Sequence, residues 1–160
     1  MSMNRTFLVT LVLLFVNNFS AFAQDGVVVT EVRVIFFVPA RSADKDVNTQ
    51  ITTTLYTGMG KRVAMLDHCC GNIHFPDANY TSSSYQLELR NIISKSEIQN
   101  GYFDIHIDPT TAGKWIFTPT FQISFSDGSK AVIKGEDDAT PYTKRIVSQE
   151  APDTSFPFHL

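Results

Sequence analysis

The sequence predicts an all-β fold, an antiparallel β-sandwich of about seven to eight strands with one short helix. Three observations carry that expectation. Short apolar runs alternate with polar residues at a period of two, and turn residues separate them. One segment alone has the start and stop signals of a helix. No internal repeat is visible.

The chain opens on a leader. Met1 to Arg5 carries one positive charge and no acid, Phe7 to Val16 is almost wholly apolar, and Ala21-Phe22-Ala23 sets small residues at the two recognition positions of a signal peptidase. Residues 1–23 are therefore expected to be a cleaved secretory signal, too short to serve as a membrane span. No cysteine near the cleavage point suggests a lipid anchor. The protein is expected to be secreted or periplasmic, with no transmembrane segment after cleavage. Residues 24–147 form the domain and 148–160 a polar tail that drapes or frays.

The elements follow in order. Val28, Thr30, Val32, Val34, Phe36 and Val38 share one face of a first strand that Pro39 ends. Ile51, Thr53 and Leu55 alternate with Gln50, Thr52 and Thr54 in a second strand rich in β-branched residues. A Thr57-Gly58-Met59-Gly60 turn returns a third strand over Lys61 to Leu66. Asp67 to Ser83 lacks periodicity and reads as a long functional loop. Tyr85, Leu87 and Leu89 mark a fourth strand. Ser94-Lys95-Ser96-Glu97 is a capping-box pattern and Asn100-Gly101 a stop, hence the short helix. Phe103, Ile105 and Ile107 face inward in a fifth strand, with Asp104, His106 and Asp108 on its other face. Trp115 to Phe125 is a sixth, expected at an edge or bulged because Pro119 has no N–H to give the ladder. Ser126-Asp127-Gly128-Ser129 is a hairpin turn leading to a seventh over Lys130 to Lys134.

Charge narrows the partners. The chain holds 13 Lys and Arg against 16 Asp and Glu, and the leader removes one of the basic residues. An acidic domain argues against nucleic acid, which rewards basic surfaces through counterion release.

If each strand runs antiparallel to the one before, the loops leaving strands one, three, five and seven share one pole. Those loops carry Asp44, Asp46, Asn48, Asp67, Asp77, Asp108, Glu136, Asp137 and Asp138. Crowded carboxylates repel unless a cation neutralises them, and calcium takes six to eight oxygens from such loops. Asp44, Asp46, Asn48, Asp108, Glu136, Asp137 and Asp138 are the expected calcium ligands. The competing reading is a solvated acidic rim with Asp and Asn as turn formers. The D-x-D-x-N run is not an EF-hand, since Thr49 and Leu55 stand where that loop needs Gly and Glu.

Val32 to Val38, then Asp44-Lys45-Asp46 leading into Thr49-Gln50-Ile51-Thr52-Thr53-Thr54-Leu55-Tyr56, resembles the opening of PLAT (lipoxygenase-type) domains. Gly101 to Asp108 and Lys114-Trp115-Ile116-Phe117 through Phe125-Ser126-Asp127-Gly128 look like secreted domains with a matching acid-rich first loop. The resemblance implies a binding module, often for calcium, lipid or a protein partner; the ligand expected of this domain is an extracellular lipid, glycan or protein. Pro39-Ala40-Arg41 and the cysteine-bearing loop depart from the pattern.

Asp67-His68-Cys69-Cys70-Gly71-Asn72-Ile73-His74 holds both cysteines. In an oxidising compartment they are expected to be oxidised, as a vicinal ring or a cross-link between chains. Structural zinc sites space their cysteines by two to four residues, so zinc is not expected. Asp104-Ile105-His106-Ile107-Asp108 flanks an imidazole with acids, which suits a general base, a ligand or a hydrated outer face. No nucleophile elbow or phosphate loop accompanies it. Asn79-Tyr80-Thr81 is a glycosylation sequon. The expectation is a secreted, non-catalytic binding module. The rivals are a small hydrolase using the pole carboxylates and an adhesive or structural protein cross-linked through Cys69 or Cys70.

Overall fold

The computed structural model describes residues 26–39, 45, 47–75, 79–108, 117–135 and 153–160. The expected leader (1–23), Trp115, and the acids Asp44, Asp46, Asp77, Glu136, Asp137 and Asp138 lie outside the described residues.

Among the described residues nine strands form: β1 (Val29–Val38), β2 (Gln50–Tyr56), β3 (Arg62–Cys69), β4 (Tyr80–Thr81), β5 (Tyr85–Leu89), β6 (Tyr102–Asp108), β7 (Thr118–Phe125), β8 (Lys130–Lys134) and β9 (Asp153–Pro157). Eight of them make one curled antiparallel sheet in the order β8-β7-β1-β5-β3-β2-β6-β9, and β4 adds to β1. The seven alternating runs of the sequence appear as β1, β2, β3, β5, β6, β7 and β8. Because every pairing is antiparallel, β1, β3, β6 and β8 run in one direction and their neighbours in the other.

The curl turns on β5. Its residues Tyr85, Gln86 and Leu87 pair with β1, whereas Glu88 and Leu89 pair with β3. Past that point the sheet returns over itself, so that Phe103 of β6 stacks on Phe121 of β7 with ring centroids 3.6 Å apart. Val32, Val34, Phe36, Ile51, Leu55, Ile107 and Phe117 are all fully buried in the core that the curl encloses. Each enclosed aromatic side chain contributes about 2–3 kcal/mol of apolar transfer.

Four expectations need correction. On β1 the expected inward set included Val28 and Thr30, but Val29 is buried and Thr30 exposed. A register shift between Val29 and Glu31 explains it, since one extra residue reverses which side chain faces the core. Pro119 sits neither at an edge nor in a bulge. It pairs with Phe36 in regular register between β1 and β8. Its carbonyl accepts from Gly135 N–H at 2.8 Å, so the side lacking a donor faces the point where β8 ends.

The third correction is the helix, because residues 95–100 run as consecutive turns. The capping box closes all the same: Ser94 N–H donates to Glu97 Oε2 at 2.8 Å and Glu97 N–H to Ser94 Oγ at 3.3 Å. Six residues are too few to repay helix nucleation, and burial of Ile93 and Ile98 already fixes both ends of the segment. The fourth is the tail. Asp153–Pro157 is a strand paired with β6 over five residues, and Phe156 is buried against Phe121. Its sequence disguised a strand with a single core residue, Phe156, between the exposed Ser155 and Pro157.

Candidate functional site

The outer face of β3, β2, β6 and β9 is concave and holds an open groove of about 660 Å³. Strand register assembles it. Thr52 lies opposite His106, Thr54 opposite Asp104, and Tyr56 opposite Tyr102. Met65 lies opposite Thr54 on one side, and Ser155 opposite Asp104 on the other. Thr54 forms part of the floor and is only 5% exposed, although its side chain belongs to the outer set. The rim adds Arg62, Asp67, His68 and Thr154.

A bulge brings His68 to that rim. Ile51 pairs with Cys69 and Thr53 with Leu66, so β3 has one residue more than β2 between the two pairs. His68 takes up the excess with φ of 46°, a left-handed conformation that His adopts more readily than most non-glycine residues. Bulges re-aim side chains and cluster beside functional sites. The interrupted ladder is mended by a side chain, since His68 N–H donates to Thr52 Oγ1 at 3.2 Å. Asp67 Oδ1 and His68 Nδ1 are 2.7 Å apart. Across the groove, Ser155 Oγ donates to Asp104 Oδ1 at 2.6 Å.

One end of the groove is aromatic. Tyr56 lines it, and Tyr102 stacks on Tyr56 with centroids 5.0 Å apart and planes 16° from parallel. The Tyr102 phenol is raised above its ordinary value, first by burial, then by the Asp104 charge and by Tyr56. It therefore stays a neutral hydroxyl throughout the physiological range.

Below the far end lies a buried cation. Lys45 is 1% exposed, and its Nζ donates to the Cys70 carbonyl at 2.7 Å and the Ile73 carbonyl at 3.0 Å. The ammonium also stands 5.5 Å from the centre of the buried Phe75 ring. Backbone Lys45 N–H donates to the Phe75 carbonyl at 3.3 Å. This clasp pins much of the segment expected as a free loop. Cys69 and Cys70 come next to the bulge, their sulfurs 2.05 Å apart and within bonding distance.

Of the seven expected calcium ligands, Asn48 and Asp108 are described. Both are exposed, and Gln50, two residues beyond Asn48, lies opposite Asp108. The register therefore brings the exit of β6 beside the entry of β2. Among the described residues no three His, Cys, Asp or Glu side chains gather closely enough to hold a metal ion.

The structure joins two motifs that are separate in the sequence, since Asp67-His68 and Asp104-Ile105-His106 meet in the groove. Sequence reasoning missed Thr52, Thr54, Tyr56, Met65 and Ser155. The outward alternation of Thr52, Thr54 and Tyr56 was a usable signal; Ser155 had none, because its strand was hidden in the tail. Comparison with protein-family models, with curated proteins and with solved structures gives no match to this chain.

Proposed function

We propose that the protein is a secreted, non-catalytic binding module whose ligand lies in the groove across β3, β2, β6 and β9. In this reading the curled sheet packs as a two-layer sandwich, supported by the ring stack of Phe103 on Phe121. The single observation that carries the function is the groove itself: about 660 Å³, within the range of small-ligand sites, with convergent polar groups from four strands. Asp104 is engaged by Ser155 Oγ at 2.6 Å, which fixes its orientation at the groove and supports a binding role for it. In this reading Cys69 and Cys70 are oxidised as a vicinal pair.

A fragment screen read by amide chemical shifts tests the reading. Hits should cluster on Thr52, Thr54, Met65, Asp104 and His106. Hits confined to another face would remove the groove as the site.

Calcium at the loop pole is the second reading, favoured by the pairing of Gln50 with Asp108. Asn48 and Asp108 would supply two oxygens there, with Asp44, Asp46, Glu136, Asp137 and Asp138 from the adjoining loops. The buried Lys45 ammonium already brings one positive charge to that end of the molecule.

A further inference from the structure

We infer that the ligand of the groove is a short, uncharged saccharide, an inference that rests on the binding reading above. Three properties of the lining point to that chemistry. The first is the scarcity of free main chain on the groove's floor. β2 and β6 are each paired on both sides, so most of their N–H and C=O groups are taken up by the ladders, while β3 is paired on its β5 side only at Ala64 and Met65. A ligand lying there is read by side chains, which disfavours an extended peptide, whose recognition draws on main-chain hydrogen bonds.

The second property is charge. Asp67 and Asp104 face one guanidinium, Arg62, so the lining has no positive excess with which to hold a phosphate or sulfate. Carboxylates instead accept hydrogen bonds from neutral hydroxyls, and Thr, Ser and His side chains both donate and accept. A polyol presents both functions on every carbon that carries oxygen.

The third is the alternation of polar and apolar surface. Tyr56, Met65 and Thr54 interrupt the polar groups. A lipid chain would leave Asp104 and His106 desolvated, which costs free energy without return. A sugar ring has one face of C–H groups and a rim of hydroxyls, and so meets both kinds of surface at once. Tyr56 is the platform for the C–H face. Its ring is held by the stack on Tyr102, so little side-chain freedom is lost on binding. Asp104, oriented by Ser155, is placed to accept from the hydroxyl rim.

The test is an amide-shift titration of the isotope-labelled full chain with maltotriose, chitotriose and cellotriose, each taken to millimolar levels. At least one should give saturable shifts at Thr52, Thr54, Asp104 and His106. Tyr56→Ala and Asp104→Asn should each weaken that sugar by about tenfold, consistent with the loss of one aromatic contact or one charge-assisted hydrogen bond. Either variant suffices if the other fails to fold, and Val132→Ala, on the distant β8, should leave affinity unchanged. The inference is overturned if no sugar shifts the groove amides, or if affinity survives both substitutions. Shifts in the groove from inorganic phosphate or a tripeptide, with none from the sugars, would overturn the saccharide class and leave the groove standing as the site. Shifts from the sugars on another face alone would overturn both.

Discussion

Lys45 shows how one residue organises a segment without regular structure. Its ammonium is removed from water and held by two carbonyls and a ring face, so its loss leaves the Cys70 and Ile73 carbonyls short of a donor. Lys45→Met keeps the volume of the side chain and removes the charge. We expect it to destabilise the protein by about 2–4 kcal/mol, measured as a shift in the urea midpoint at unchanged m-value. Lys45→Arg should not rescue it, because a planar fork does not fit a cavity shaped for a point charge. A cost below about 0.5 kcal/mol would show the clasp to be incidental. In the sequence this lysine stands between two acids in a turn, where a solvated side chain is the ordinary assumption. Its burial depends on Phe75, thirty residues away, and no local pattern announces such a pairing.

At the scale of elements, the segment from Ser94 to Asn100 and the strand β9 make separate points. Glu97 accepts both the Ser94 amide and the Ser94 hydroxyl, which, with a smaller contribution from Lys61, lowers its carboxyl below the ordinary 4.5. A carboxyl depressed in the folded state stabilises the fold above its unfolded value and ceases to do so as pH falls through the folded one. Wild type should therefore lose stability from about pH 5 downward by a part that Glu97→Gln does not lose. Urea midpoints at pH 6 and pH 3 check it: the gap between wild type and variant should narrow at the lower pH. The group is largely exposed, so the effect is small and salt-sensitive. The box was legible because it is four consecutive residues. The absence of a helix behind it was not, because buried Ile93 and Ile98 decide the path. For β9, Phe156→Ala should cost about 3–5 kcal/mol through the cavity left against Phe103 and Phe121. The expected outcome is a fall in melting temperature on the order of 10 °C, and a fraying tail would give no change.

At the scale of the molecule, the alternating strands were legible because period two is written locally in each run. The curl was not, because it depends on β5 dividing its pairing between β1 and β3. Strand direction was recoverable too: β1, β3, β6 and β8 run the same way, as alternation along the chain predicts. The calcium reading makes its own prediction. Ligands from separate loops imply modest affinity, about 10⁻⁴–10⁻³ M. At ten times the dissociation constant the fold gains about 1.4 kcal/mol, raising the melting temperature by roughly 3–6 °C. Asp108→Ala should remove most of that rise, and a melting curve unmoved by millimolar calcium ends the calcium reading without touching the groove.

The strand order also sets a timetable. β1 lies between β7 and β5, and its long partner, Thr118–Phe125, is made some eighty residues after it. Synthesis proceeds from the N-terminus, so the apolar face of Val32, Val34 and Phe36 emerges well before the strand that covers it. The strand β9, at Asp153–Pro157, pairs beside Phe103 later still. A chain made only as far as β6 still leaves the apolar face of β1 without its β7 partner. Topologies so dominated by distant pairings fold slowly, in about milliseconds to seconds. During that delay a chain left without a holding partner is exposed to aggregation through β1.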